Sequence, residues 1–124
     1  MCGIVGYIGS GNASDIIIDG LKKLEYRGYD SSGIAVYRDG KIEVRKFKGR
    51  IANLEAAIAN EHLDSHMGIG HTRWATHGEP SDVNAHPHSN MDHTIAVVHN
   101  GIIENYVDLK EWLIREHGVV FASE

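Results

Sequence analysis

A single cysteine in 124 residues excludes an internal disulfide and a cysteine-rich zinc site. Long apolar runs are missing too. The longest are short, such as Ile16-Ile17-Ile18, far below what crosses a bilayer. The start has no basic region ahead of its apolar residues, which Gly6 and Gly9 interrupt, so it does not read as a signal peptide. A cytoplasmic protein with no membrane partner is expected. Positive charge is also scarce: 12 Lys and Arg face 17 Asp and Glu, for a net charge of −5 with histidines neutral. No nucleic-acid partner is expected, because such a surface clusters Lys and Arg. The richest basic stretch, residues 41–50, alternates with apolar residues and reads as the solvated face of a hairpin.

The remainder is ordinary for a globular domain with one small core, at 42% hydrophobic and 23% charged residues. Residues 3–8 read as a buried strand and Gly9-Ser10-Gly11 as a turn. Asn12 or Ser14 can cap a helix to about Tyr26, whose apolar positions Ile17, Leu21 and Leu24 recur at helical spacing. Residues 27–33 form a polar, glycine-bounded loop, followed by strands at 34–37 and 42–47. Asp39-Gly40 between them is a hairpin turn, since Gly supplies the positive φ that a tight turn needs. A short amphipathic helix at 51–59 and a strand at 67–72 follow. Residues 73–92 hold both prolines and read as a long loop, a length usual for functional loops. A strand at 95–98, a helix at 106–116 ended by Gly118, and a last strand at 119–121 complete the series. Hairpins mixed with helices predict an α+β fold with a largely antiparallel sheet.

Several segments carry chemistry. Cys2 stands beside the initiator Met1, and a small second residue generally permits removal of that methionine. Thiol and α-amine would then share one residue. A free thiol titrates at about 8.5 and an α-amine at roughly 7.7–8.0, close enough for the amine to act as the thiol's base. Taken alone, Cys2 is better read as an incidental residue of a frayed terminus, but the apolar strand starting at Gly3 pins it to the fold. Arg73 and Trp74 follow a strand, where binding groups concentrate. An arginine can grip a carboxylate through two parallel hydrogen bonds, and a tryptophan can cover a small site. Asn100-Gly101 also follows a strand and offers a side-chain amide and a backbone N–H that could converge on an oxyanion. His86-Pro87-His88, with His71, His77, His93 and His99, raises the question of a metal. No thiol or carboxylate completes a ligand set at fixed spacing, and a loop of packed, hydrogen-bonded histidines with no metal is the preferred reading.

Taken together, these segments resemble a family. Cys2-Gly3-Ile4-Val5-Gly6, Tyr26-Arg27-Gly28-Tyr29-Asp30-Ser31-Ser32-Gly33, the run from His71 to Pro80, Asn84-Ala85-His86-Pro87-His88 and the run from His99 to Asn105 are similar, in order, to the class II (N-terminal nucleophile) glutamine amidotransferases. Within that family the resemblance is closest to the branch that passes ammonia to fructose 6-phosphate. The purine-pathway branch shares Cys2, Arg27-Gly28 and Asn100-Gly101 but lacks the Ala75-Thr76-His77-Gly78-Glu79-Pro80 run. The resemblance implies a four-layer α/β/β/α sandwich and hydrolysis of glutamine to glutamate and ammonia without a cofactor. It implies Cys2 as nucleophile, Asn100 and Gly101 as the oxyanion hole, and Arg73 on the substrate α-carboxylate. Thr76 and His77 would line the same pocket, Trp74 would lie over it, and Arg27 and Gly28 would support the nucleophile. It further implies a homo-oligomeric parent enzyme with separate sugar isomerase domains. The family's amino-group-binding Asp falls beyond Glu124, so residues 1–124 are expected to be the N-terminal part of a longer glutaminase domain, its sandwich incomplete. The rival is a non-catalytic module binding an amino acid or a protein, for which Arg73 would matter and Cys2 would not.

Overall fold

Glycines alternate along one strand, at 68 and 70, and that alternation sets how closely helix and sheet approach. The computed structural model describes residues 2–25, 29–61, 63–74 and 79–123. In chain order the elements are β1 (Gly3–Ile8), α1 (Ala13–Lys23), β2 (Ser31–Arg38), β3 (Lys41–Lys48), α2 (Ile51–Ile58), β4 (Met67–Arg73), β5 (His88–Ser89), β6 (Ala96–Val97) and α3 (Tyr106–His117). The first four long strands make one antiparallel sheet in the order β1-β4-β2-β3, and β5 pairs with β6. The expected α+β architecture with an antiparallel sheet is therefore present.

Helices α1 and α2 cover one face of the large sheet. Ile17, Ile18 and Leu21 of α1 and Ile51 and Leu54 of α2 meet Ile34 and Val36 of β2 in a core from which water is excluded. The same face of β4 carries Gly68 and Gly70, in register with Val36 and Ile34. A Cβ at position 70 would run into Ile17 and stand 3.2 Å from Leu21 Cδ1, so its absence lets α1 lie against the strand backbone. The described residues supply one helical and one sheet layer of the incomplete sandwich. The 84–96 segment begins to cover the second sheet face. Ala96 lines a shallow apolar hollow there with Ala35, Tyr37, Ile42, Met67 and Ile69. Ile4, Ile8, Tyr37 and Met67 remain exposed, so β1 is a half-covered strand and not the buried one predicted.

Local chemistry explains the elements that the sequence reading anticipates. Asp39 and Gly40 both take positive φ (51° and 78°), the conformation of a two-residue hairpin turn. Gly118 ends α3 in the left-handed region (φ 60°), its N–H donating to Ile114 O while Val119 N–H reaches Leu113 O. Asn12 occupies the N-cap position of α1, but its side chain makes no cap bond. It accepts instead from Ser65 N–H and Ser14 Oγ, tying the helix start to the strand entering from residue 65.

Four further expectations need correction. Helix α1 ends at Lys23, with Leu24 as its cap. Ser31, Ser32 and Gly33 belong to β2 and not to the preceding loop, because both neighbouring strands pair with them. Residues 119–121 form no strand, since no neighbour pairs with them among the described residues. The basic hairpin face is not simply solvated: Lys46 is half-buried under the 83–88 segment, and burial lowers its pKa. No helix among the described residues is long and apolar enough to cross a membrane.

Candidate functional site

The site forms where β1 begins, because β1 and β4 run antiparallel in a register that sets Gly3 opposite Thr72. The Gly3 N–H donates to Thr72 Oγ1 at 3.0 Å, inside the fold. Cys2 is thereby held beside the end of β4, where Arg73 leads into Trp74. The Trp74 backbone N–H donates to Cys2 Sγ at 3.2 Å, and the thiol lies 3.6 Å from the Trp74 carbonyl. Cys2 as a residue is partly buried, with its sulfur held by the Trp74 main chain. The Trp74 side chain is itself exposed, at 54%. Its main chain supplies the contact with the sulfur.

Asn100 arrives from 98 residues away in sequence, on a segment with no regular structure. Its Nδ2 donates to the Cys2 carbonyl oxygen at 3.3 Å. Its Oδ1 lies 2.7 Å from His71 Nε2. Gly101 follows with φ of 152°, and a Cβ there would sit 3.1 Å from the His99 ring, so this position favours glycine on both counts.

Behind these groups lies a histidine stack. His71 and His86 are stacked with centroids 4.4 Å apart, and His86 and His88 meet at the same separation, tilted. His86 Nδ1 accepts the His99 backbone N–H at 3.4 Å, and Lys46 Nζ lies 3.4 Å from His88 Nδ1 while donating to Val83 O at 2.9 Å. Burial lowers the His71 pKa, with the nearby Arg73 charge adding to it and the Asn100 hydrogen bond opposing it. Burial, then the charges of His71, His88, Arg73 and Lys46, lowers His86 to about 3. Burial, then Lys46, Arg73 and His71, lowers His88 to about 4. These rings are therefore neutral near pH 7, packed and hydrogen-bonded as the loop reading predicts.

Arg73 is 6% exposed at the end of β4, and its Nη1 donates to the Glu79 carbonyl at 3.4 Å. That carbonyl also accepts from Asn84 Nδ2 at 3.0 Å, so the arginine and the 79–84 turn are cross-tied. A planar guanidinium is the group that can grip a carboxylate through two parallel hydrogen bonds. The structure thus brings Cys2, Trp74 and Asn100 together, with Gly101 adjoining Asn100 and Arg73 adjoining Trp74. Arg27, Gly28, Thr76 and His77 lie outside the described residues. The contacts of Thr72 and His71 are not anticipated from sequence. The only sign of them is that a strand ending at Arg73 must put residues 71 and 72 on opposite faces.

The fold and the site meet in one class of protein. Residues 16–118 match the family model described as glutamine amidotransferases class-II, and the chain belongs to that family. Its particular likeness is narrower. Over all 124 residues it is 63% identical to the isomerizing glutamine–fructose-6-phosphate aminotransferase of Clostridium acetobutylicum, and 56% identical to the protein of that name from Pyrococcus horikoshii. It covers 20% and 21% of those two relatives, about a fifth of their length. Among solved structures it is similar to the Bacillus subtilis glutamine phosphoribosylpyrophosphate amidotransferase. The TM-score is 0.77 at 27% identity, over 98% of this chain and 26% of that one.

Proposed function

We propose that the chain is the N-terminal part of the glutamine-hydrolysing domain of an isomerizing glutamine–fructose-6-phosphate aminotransferase, with Cys2 as its nucleophile. The observation that carries this is the convergence on Cys2 of two donors from distant parts of the chain, the Trp74 N–H on its sulfur and the Asn100 amide on its carbonyl. A nucleophile with a neighbouring amide donor is the minimal equipment for acyl transfer through a tetrahedral oxyanion. The 63% identity over the full chain favours fructose 6-phosphate as the ammonia acceptor, bound outside residues 1–124.

With Met1 removed, the α-amine of Cys2 takes the thiol proton. The thiolate attacks the side-chain carbonyl carbon of glutamine, forming a C–S bond and an oxyanion that Asn100 Nδ2 and the Gly101 N–H stabilise. The oxyanion collapses, the C–N bond breaks, and the protonated amine returns its proton to the departing ammonia. Water, deprotonated by the same amine, attacks the thioester and releases glutamate and the thiol. Arg73 holds the α-carboxylate throughout, with Thr76 and His77 completing the pocket and Arg27 and Gly28 supporting the nucleophile. The residues require no metal or organic cofactor for this sequence of steps.

The test is Cys2→Ala in the whole protein as its gene encodes it, alongside intact-mass analysis of the unaltered protein after exposure to an electrophilic glutamine analogue. Loss of glutamine hydrolysis by more than about a thousandfold, and a single adduct on a Cys2 that has lost Met1, are expected. Hydrolysis unchanged in the alanine variant would overturn the nucleophile and leave a binding module.

A further inference from the structure

Asn100 sits on an exposed, irregular segment, yet the chemistry proposed for it demands one orientation of its amide. The two ends of that amide are not equivalent. With Nδ2 toward Cys2 it offers donors to the nucleophile's surroundings. Turned over, it would set an acceptor oxygen against the Cys2 carbonyl and against any oxyanion formed nearby. What decides between the two is His71. This residue is fully buried on β4, and its Nε2 lies 2.7 Å from Asn100 Oδ1. A carbonyl oxygen only accepts, so in this arrangement Nε2 is the ring nitrogen that would carry the proton. His71 Nδ1 is buried and has no hydrogen-bond partner among the described residues. Among the described residues the ring is therefore kept in place by one polar contact, that to Asn100, and by the His86 ring stacked on it.

We propose that His71 is a positioning residue of the glutamine site: its Nε2–H, donated to Asn100 Oδ1, locks the Asn100 amide with Nδ2 facing Cys2. This rests on the reading of Asn100 as an oxyanion donor. The neighbourhood supports it. His86, His88, Arg73 and Lys46 are the titratable groups around the stack, and burial together with the Arg73 charge opposes a second proton on the His71 ring. The His99 N–H, bonded to His86 Nδ1, fixes the main chain one residue before Asn100 to the same stack.

The experiment compares His71→Phe, His71→Gln, Asn100→Ala and the double variant His71→Phe/Asn100→Ala in the whole protein, measuring kcat and KM for glutamine hydrolysis. Phe fills the space without a donor, and Gln carries a terminal N–H at about the reach of Nε2. His71→Phe is expected to lower kcat about 10- to 100-fold, below the roughly 100- to 1,000-fold cost of deleting an oxyanion donor outright, with KM changed less than about threefold. His71→Gln should recover most of that loss, and the double variant should be no slower than Asn100→Ala alone. Should the Phe variant lack a cooperative melt, His71→Asn, too short to reach Oδ1, replaces it with the same expectations. Wild-type kcat in His71→Phe, with Asn100→Ala impaired, would refute the positioning role alone. Equal losses in the Phe and Gln variants, or additive losses in the double variant, would refute it as well. Wild-type kcat in Asn100→Ala would instead bring down the oxyanion reading on which it stands.

Discussion

Gly33 is where the sheet, the histidine stack and the site are locked to one another, and Gly33→Ala is the substitution that tests this coupling. In β2, Gly33 pairs with Lys46 on one side and His71 on the other. A Cβ added there would be driven into the carbonyl oxygen of His86. It would also stand 2.8 Å from Lys46 Cβ and 3.1 Å from Arg45 O. Two of these three neighbours are backbone, which cannot swing aside as the end of a flexible side chain can. Ordinary Cβ contacts lie at 3.4–4 Å, so the main chain at His86 must retreat by on the order of 1 Å. A Gly-to-Ala change at an unstrained position would gain roughly 0.4–1 kcal/mol through the unfolded chain. Overpacking costs about 1–3 kcal/mol, so a net destabilisation of about 1–2 kcal/mol is expected.

A functional loss should accompany the stability loss. His86 carries the stack on His71 and accepts the His99 N–H, so moving it disturbs both supports of Asn100. A displacement of about 1 Å at a reacting centre is worth about a hundredfold in rate, and a fall in kcat of about tenfold or more is expected here. The assay pairs denaturant unfolding of the whole protein with steady-state glutamine hydrolysis at a temperature where the variant is fully folded. A Gly33→Ala protein with unchanged unfolding midpoint and unchanged kcat would show that residues 84–88 are not seated on β2 in this way. Loss of stability with kcat intact would show that the seat is real but does not reach the site.

Two further outcomes follow from Arg73 and the histidine stack. Arg73→Lys should raise KM for glutamine about tenfold or more with kcat changed little, because a point charge does not replace a planar fork. An unchanged KM in steady-state assays would remove Arg73 from the carboxylate. Acid should weaken the fold through His86 and His88, whose folded pKa values of about 3 and 4 lie below the ordinary 6.5. Above about pH 6.5 neither folded nor unfolded rings hold the extra proton and the effect is nil. As pH falls from there towards 4 and then 3, the unfolded chain takes up protons that the folded chain refuses, and stability declines. Discounted for solvent reaching these half-covered rings, the loss is about 1–2 kcal/mol for each. Thermal melts between pH 7 and 4 should therefore fall less steeply for His86→Gln/His88→Gln than for the unaltered protein. Parallel slopes would contradict the lowered pKa values.

The parts of this fold legible in the sequence are those decided within a few residues. The Asp39-Gly40 hairpin follows from positive φ at two adjacent positions, the end of α3 follows from Gly118, and the buried stripe of α1 follows from the spacing of Ile17 and Leu21. Legibility fails where distant strands decide. Ser31-Ser32-Gly33 has the composition of a loop, yet Ser31 and Ser32 are fully buried because β3 and β4 flank them and the 84–88 segment closes over Gly33. Lys46 has the alternation of a surface residue, and alternation reports which face a residue takes but not what later covers that face. The site divides along the same line. Cys2, Arg73 and Asn100 are nameable from their motifs, but their meeting depends on the register that sets Gly3 against Thr72 and so carries Cys2 to Trp74. His71 is the sharpest case. Its motif marks it as one of nine histidines, and only the pairing of β4 with β1 and β2 turns its ring toward a residue 29 positions later. A residue that acts by orienting another leaves no pattern of its own in the chain, so its role is recoverable from geometry alone.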